Sequence, residues 1–174
     1  MEEKEYFDHV RKFLIKINNV KKVAKIVVKL HPRERHKLQY EAVVKSLGLK
    51  NVKITQAPGK DALYSILSDS DLLVSYGSTT DIEGLMLDKN VIVIDGLKKG
   101  PLAEAAKKDK YQEAVVAIDK KDDLTATITK VLTDKNLQEE LRQKRHMYLA
   151  NSFYRTDGKA HERVANLIIN VLQH

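Results

Sequence analysis

One segment of the chain combines a strand, a glycine, three hydroxyl residues and the start of a helix. The apolar run at 71–76 predicts a strand, and residues 79–87 predict a helix. Between and within these elements stand Gly77, Ser78, Thr79 and Thr80. The N–H groups of a first helical turn have no partner inside the helix and carry the positive end of its dipole. Small hydroxyl side chains at such a turn cap the helix or bind a phosphate.

Glu83 is the acidic residue that the spacing places on the apolar side of this helix. At about 100° per residue, Glu83 lies about 40° from Thr79. Ile82 and Met86 share that arc, whereas Asp81 lies on the opposite side. A carboxylate on an apolar face needs hydrogen-bond partners, since burying it alone is costly. Two interpretations stay open: the carboxylate accepts hydrogen bonds from the vicinal hydroxyls of a ribose, or it serves as a cap or as the partner of a buried hydroxyl.

The strand predicted at 23–30 leads into a second pair of polar side chains. Side chains alternate along a strand, so Lys29 and His31 point the same way. At the carboxyl end of the strand both could reach a diphosphate. The alternative interpretation is a surface lysine beside a histidine that bonds to the backbone.

The composition and the spacing exclude several kinds of chemistry. The chain has no cysteine, which excludes disulfide scaffolds, thiolate catalysis and Cys-containing metal sites. Neither a Walker A pattern nor Gly-x-Gly-x-x-Gly is present. Tyr76 and Thr80 stand where a nucleophile elbow around Ser78 requires glycine. His31 and His36 are five residues apart and lack carboxylate partners, so we expect no metal site.

The net charge of +7 is unevenly distributed. Residues 1–60 carry 15 basic and 6 acidic side chains, whereas residues 61–174 carry 16 and 18. A basic end on a nearly neutral body indicates an anionic ligand or surface, or alternatively a lysine-rich solvated face. The aromatic residues do not cluster and no nucleic-acid motif occurs, so we expect no nucleic-acid partner.

Hydropathy predicts a soluble protein. No apolar run reaches the roughly 18 residues of a membrane span, and the first residues lack the pattern of a secretory signal. We therefore expect a cytoplasmic protein, with peripheral contact to a membrane left open.

Five short apolar runs alternate with amphipathic helices. Strands are predicted at 23–30, 52–56, 71–76, 91–95 and 114–118, and helices at 5–17, 34–47, 60–67, 79–87, 101–108, 122–132, 136–149 and 157–172. Runs such as 91–95 are apolar on successive residues, so both faces of the sheet are covered. We predict an α/β fold, a Rossmann-like three-layer sandwich with a parallel sheet of about five strands plus C-terminal helices.

The chain divides into two parts on this reading. Residues 1–19 form an N-terminal amphipathic helix, and residues 20–174 form the Rossmann-like domain. In the last helix, the apolar residues Leu167, Ile168 and Val171 recur at spacings of three and four, so we expect one face to pack against the domain. Asp157 is the expected N-cap of that helix.

Ligands of open parallel sheets bind outside the carboxyl ends of the strands. This rule selects the segments around 29–31, 56–60, 76–80 and 95–100 as candidate site residues.

The order of these motifs resembles a known family. Residues 71–83 and the strand that follows are similar to the nucleotide-binding lobe of two-lobed (GT-B) glycosyltransferases, whose pattern is an Asp, an apolar strand, Gly-Ser-x-Thr-x-x-Glu, a helix and a Gly-Lys-Pro-apolar strand. The peptidoglycan N-acetylglucosaminyltransferase and UDP-N-acetylglucosamine 2-epimerases share this similarity. Residues 29–32 resemble the Lys-x-His-Pro of capsule-polysaccharide and CDP-glycerol transferases, and residues 157–163 resemble the Asp-Gly-Lys-Ala-x-Glu-Arg of capsule transferases.

The resemblance covers about residues 20–172 and implies a function and a site. The implied function is the donor-binding domain of a glycosyltransferase-like enzyme in surface polysaccharide synthesis. Its substrate would be a nucleotide-activated sugar or polyol phosphate, such as a UDP- or CDP-activated donor, and not a cofactor. The implied contacts are Lys29, His31, Gly77, Ser78, Thr79 and Thr80 with the phosphates and Glu83 with the ribose.

The chain departs from the family in two respects. Asp88-Lys89-Asn90 stands in place of Gly-Lys-Pro, and the resemblance concerns only one of the family's two lobes. It therefore implies a separate N-terminal acceptor lobe or a partner chain, with the helix at 5–17 and the basic residues of 1–60 as the expected interface. Two alternatives remain open: a UDP-N-acetylglucosamine 2-epimerase-like domain, for which Glu83 and Asp95 are the few available carboxylates, and a non-catalytic nucleotide-binding or assembly module.

Overall fold

The structure is a computed structural model that describes residues 3–21, 23, 25–56, 59–94, 110–119 and 121–173. The strands are β1 (Ile26–Lys29), β2 (Val52–Thr55), β3 (Leu72–Ser75), β4 (Asn90–Ile94) and β5 (Val116–Ile118). The helices are α1 (Glu3–Asn18), α2 (Lys37–Ser46), α3 (Lys60–Ser68), α4 (Thr79–Met86), α5 (Tyr111–Ala114), α6 (Leu124–Thr133), α7 (Lys135–Ser152) and α8 (Ala160–Leu172). The predicted loop at 96–100, the predicted helix at 101–108 and Asp95 lie outside the described residues.

All of the described strand pairs are parallel, but they do not form one sheet. β1 pairs with β2, and β4 lies between β3 and β5. The prediction of a single sheet of about five strands is therefore wrong for the described residues, which form a two-stranded and a three-stranded group. Side-chain packing joins the two groups, since Ile26 of β1 lies in the same core cluster as Ile92 and Ile94 of β4. Apolar runs predict that strands form, but they do not predict which strands pair with one another.

Helices cover both faces of the strands, as the apolar runs predicted. In β4, Ile92 and Ile94 pack into a cluster with residues of α1 and α6, whereas Val91 and Val93 pack into a second cluster with residues of α4, α5 and α7. Alternate side chains of a strand point to opposite faces. The result is an α/β arrangement of three layers that is consistent with a Rossmann-like fold.

The apolar side of α1 packs against the chain itself. Leu14 and Ile17 are buried, and α1 contacts α2 and α6. Thr125, at the start of α6, donates a 2.9 Å hydrogen bond from its hydroxyl to the carbonyl oxygen of Lys16. This helix is therefore part of the core of the domain, and its apolar side is not a free surface.

Gly84 lets α4 lie close to the strands. A Cβ atom at this position would stand 3.0 Å from Leu73 Cδ2 and 3.4 Å from Val91 Cγ2. Because these neighbours belong to β3 and β4, the absence of a side chain sets the distance between α4 and the sheet. This close approach fixes where the turn before α4 emerges.

The last helix does not pack as predicted. None of the residues of α8 is buried, and Leu167 and Leu172 are 64% and 80% exposed. The helix begins at Ala160, after a Lys159 N-cap that makes no side-chain capping bond, so Asp157 is not the cap either. Asp157 instead pairs with Arg163, whose Nη1 lies 2.9 Å from both carboxylate oxygens. The periodicity gave the helix and its amphipathic side, but in the described residues no element covers that side.

Among the described helices, none is both long and apolar enough to cross a bilayer.

Candidate functional site

Two loops at the carboxyl ends of strands contact the same helix. The ring of Phe7 in α1 packs against His36 in the β1–α2 loop, and the ring of Phe13 packs against Tyr76 in the β3–α4 turn, each with centroids 6.0 Å apart. Phe7 and Phe13 are six positions apart, a separation of about 9 Å along the helix axis. The structure therefore brings the two segments with predicted phosphate-binding residues to one edge of the domain.

The β3–α4 turn is exposed and has a defined backbone. Gly77 has a φ of 84°, a left-handed conformation that glycine adopts without strain. Its N–H donates to the Ser75 hydroxyl at 3.1 Å. Gly77, Ser78 and Thr79 are exposed, and Thr80 is half-buried. The predicted hydroxyl cluster is thus open to a ligand and is not sealed by α1.

A capping box closes the start of α4. The Ser78 hydroxyl accepts the N–H of Thr80 at 3.3 Å, and the Asp81 carboxylate accepts the N–H of Ser78 at 2.9 Å. The box satisfies orphan amides at the helix start. The capping interpretation of these residues is therefore realised in the structure, with Asp81 supplying the negative charge at the positive end of the helix dipole.

Asp81 is fully buried, which the helical arc did not predict. Its Oδ2 accepts a second hydrogen bond, 3.0 Å long, from the hydroxyl of Tyr111 at the start of α5. Its Oδ1 has no partner among the described residues. Burial, followed by the nearby Asp81 charge, raises the pKa of Tyr111 well above its ordinary value. The phenol therefore keeps its proton and donates a hydrogen bond to the carboxylate.

The expected orientation of Glu83 is wrong. The buried side of α4 consists of Asp81, Gly84 and Leu85, whereas Glu83 is half-buried and Met86 is 42% exposed. Glycine does not count as apolar in a helical pattern, and an aspartate at a helix start is expected to be exposed. The sequence pattern therefore did not predict which side of α4 packs against the sheet. The Glu83 carboxylate accepts no hydrogen bond from another described residue. It is thus partly accessible, and its contact with a ribose stays a prediction.

The residues at the end of β1 are accessible in part. Lys29 is half-buried and donates from Nζ to the carbonyl oxygen of Leu30 at 2.9 Å. His31 is exposed, and its Nδ1 accepts the N–H of Arg33 at 3.1 Å. A neutral ring with this bond carries its proton on Nε2, which is then a hydrogen-bond donor. His31 thus bonds to the backbone, as the alternative interpretation of the sequence expected. Its second ring nitrogen, Nε2, remains available to a ligand.

The β1–α2 loop forms a basic cavity that the sequence did not predict. The cavity is open, has a volume of about 350 Å³, and is lined by His31, Arg33, Glu34, Arg35 and His36. A His-Pro pair followed by two arginines at alternate positions is the signal that could have indicated it. Because arginine binds phosphate and carboxylate oxygens through several donors, this composition suits an oxyanion.

Gln56 at the end of β2 holds this loop. Its side-chain nitrogen donates to the carbonyl oxygens of His31 at 3.2 Å, Pro32 at 3.3 Å and Glu34 at 2.5 Å. In the sequence, the segment that starts at Gln56 is a candidate site segment only because it follows the carboxyl end of a predicted strand. Its role in the structure is to fix the loop after the neighbouring strand.

Within the ranges that the structure describes, no three acidic or histidine side chains converge as metal ligands would. The described site consists of hydroxyls, two arginines, two histidines, a lysine and partly accessible carboxylates.

The comparisons with known proteins assign no family. No family model and no curated protein matches the sequence. A solved structure titled as the crystal structure analysis of the glycotransferase of kitacinnamycin aligns with 84% of this chain at 17% identity and a TM-score of 0.46. The alignment covers 43% of that chain, so this chain spans less than half of its length. A likeness of this size assigns neither a fold nor an activity.

Proposed function

We propose that this chain is the donor-binding domain of a glycosyltransferase-like enzyme that acts on a nucleotide-activated sugar or polyol phosphate in surface polysaccharide synthesis. The observation that carries the proposal is that an exposed hydroxyl turn and a basic loop, each after the carboxyl end of a parallel strand, both pack against α1. Open parallel sheets bind nucleotides at these carboxyl ends.

The proposed roles follow from the accessible groups. Ser78, Thr79 and Thr80 offer hydroxyls to the donor beside Gly77, where no side chain intervenes. Glu83 lies one turn further along α4, partly accessible, and is proposed to accept hydrogen bonds from the ribose hydroxyls. Lys29 and the Nε2 of His31 are proposed to face the diphosphate from β1.

The proposed chemistry is electrostatic. When the bond from the transferred group to the diphosphate oxygen breaks, its electron pair stays on that oxygen as the acceptor oxygen forms the new bond. Cationic groups fixed in advance stabilise this charge. The proton of the acceptor hydroxyl would pass to a base on a separate acceptor lobe or partner chain, so the domain alone is proposed to bind the donor without turning it over.

Ligand-induced thermal shifts with a panel of UDP-, CDP-, GDP- and CMP-sugars test the proposal. At least one class should raise the melting temperature in a saturable way, and Glu83→Gln should weaken binding about 10- to 100-fold through loss of charge-assisted hydrogen bonds. Glu140→Gln, an exposed glutamate of α7, is the matched control and should bind as the parent does. Equal binding by the parent and Glu83→Gln would remove the ribose role.

A further inference from the structure

Two arginines on the wall of the β1–α2 cavity lack a carboxylate partner among the described residues. Arg33 and Arg35 are exposed on its wall, and no carboxylate oxygen among the described residues lies within 4.0 Å of either guanidinium. Glu34, also on the wall, accepts the N–H of His36 at 2.9 Å. His36 lies 3.5 Å from Glu3 through its Nδ1. Among the described residues, the two guanidinium groups therefore have no carboxylate partner, whereas Glu34 accepts a backbone N–H and Glu3 lies beside His36.

The backbone that carries these side chains is held in place. The Gln56 side chain bonds to three carbonyl oxygens of the loop, and the N–H of Glu34 donates to the carbonyl oxygen of His31 at 2.9 Å. The N–H of Arg33 is bonded to the His31 ring. A loop fixed in this way loses little conformational freedom when a ligand binds, which favours affinity.

The turn before α4 has fewer free backbone N–H groups for binding an anion than its sequence indicates. Four of its backbone N–H groups already donate within the chain, those of Gly77, Ser78, Thr80 and Asp81. The buried carboxylate of Asp81 lies at the start of the helix and opposes a second negative charge there. The turn therefore offers mainly hydroxyls, and the charge of a diphosphate needs another partner.

We infer that the β1–α2 loop is the oxyanion site of this edge, with Arg33, Arg35 and His36 binding a phosphate or diphosphate group while the α4 turn binds hydroxyls. Arginine in pairs provides several charge-assisted donors for phosphate oxygens. The identification of the ligand as the diphosphate of an activated donor rests on the proposed function, but the affinity for the anion itself does not.

Isothermal titration with inorganic pyrophosphate tests the site directly. Arg33→Gln and Arg35→Gln should each lower the affinity by about tenfold, the effect of losing one charge-assisted contact. Arg142→Gln on α7, where the arginine is paired with Glu139 on the surface, is the matched control and should keep the parent affinity. Both cavity arginines are exposed, so unchanged unfolding curves are expected for both variants. Parent-like affinity in both cavity variants, or an equal loss in the control, overturns the inference.

The same variants separate this inference from the proposed function. If a nucleotide-activated sugar binds the parent and the cavity variants equally while Glu83→Gln weakens it, the donor site stands and the oxyanion site is wrong. If pyrophosphate binding depends on Arg33 and Arg35 but no nucleotide-activated donor binds, the oxyanion site stands and the proposed function is wrong.

Discussion

The hydroxyl of Tyr111 and the N–H of Ser78 donate to the same carboxylate oxygen, Asp81 Oδ2, at 3.0 and 2.9 Å. Tyr111 begins α5, which follows β4 in the chain, whereas Ser78 caps α4 after β3. One buried acid therefore links the turn that we propose for donor binding to the segment that enters β5. The rings of Tyr148 and Tyr111, with centroids 5.7 Å apart, brace this link from α7.

Removal of the Tyr111 hydroxyl is predicted to destabilise the domain. In Tyr111→Phe, the buried Asp81 loses one of its two donors, which should lower the free energy of unfolding by about 1–3 kcal/mol. Urea unfolding followed by circular dichroism measures the change. Tyr154→Phe removes a hydroxyl from a ring that is 82% exposed, and as the control it should stay within about 0.5 kcal/mol of the parent. A Tyr111→Phe protein as stable as the parent would show that this bond contributes nothing.

Stability is predicted to fall on the alkaline side. Burial and hydrogen bonding to Tyr6 raise the pKa of Tyr40, and burial and the Asp81 charge raise the pKa of Tyr111, both above the ordinary value of 10.0. The folded state thus prefers the neutral phenols, and their stabilisation is complete below pH 10 and declines as the pH rises further. Unfolding free energies measured between about pH 8 and 11 should drop above pH 10.

The phenylalanine variants identify the groups responsible for that drop. Tyr111→Phe and Tyr40→Phe cannot lose the proton, so each should show a shallower decline than the parent. A parent whose stability is constant up to pH 11, or a decline that neither variant reduces, contradicts the assignment.

Arg145 is predicted to hold the turn between α4 and β4. Arg145 is 2% exposed; its Nη2 lies 2.5 Å from Asp88 Oδ1 and its Nη1 donates to the carbonyl oxygen of Lys89 at 3.2 Å. Asp88 has a φ of 59°. It stands at the position of the glycine in the Gly-Lys-Pro of the glycosyltransferase pattern that the sequence resembles. Arg145→Met should cost about 1–3 kcal/mol, because the carbonyl oxygen loses its donor and Asp88 its tether. Arg142→Met breaks an exposed pair and should change stability by less than about 0.5 kcal/mol.

Gln56 is predicted to act on ligand binding without touching the ligand. Gln56→Ala releases the three carbonyl oxygens of the β1–α2 loop, so pyrophosphate should bind several-fold more weakly to a loop that must first be ordered. Arg33 and Arg35 remain in place, so raised salt should weaken binding in the variant as in the parent. Gln143→Ala on α7 serves as the control, and affinity equal to that of the parent in Gln56→Ala would argue that the loop is fixed by other contacts.

The sequence predicted the strands better than the site because the two depend on different signals. The runs at β1, β3 and β4 are apolar on successive residues, and burial on both faces follows from that pattern alone. Asp81 is buried beside Tyr111, which is 30 residues away in the sequence. A local pattern of apolar residues cannot predict such a contact. Gly84 is small and shows no preference in a helical arc, yet it decides which side of α4 meets the sheet.

The basic loop and the last helix illustrate the same limit. From the sequence, Arg33 and Arg35 are expected to be solvated charges. In the structure they line a cavity, because the loop is curved and Gln56 holds it in that shape. The amphipathic pattern of α8 correctly gave a helix, but whether an apolar side is covered depends on the neighbouring elements, and in the described residues α8 has no buried side chain.

A nucleotide-activated sugar is proposed to bind across the β1–α2 loop and the β3–α4 turn. Backbone amide chemical shifts of the labelled protein, recorded during titration with a UDP- or CDP-activated sugar, test it most directly. Saturable shifts should concentrate at residues 31–36 and 77–83, with little change along α7. Shifts that spread over α7 and α8 and leave both loops unperturbed, or no saturable shift with any activated donor, would contradict the claim.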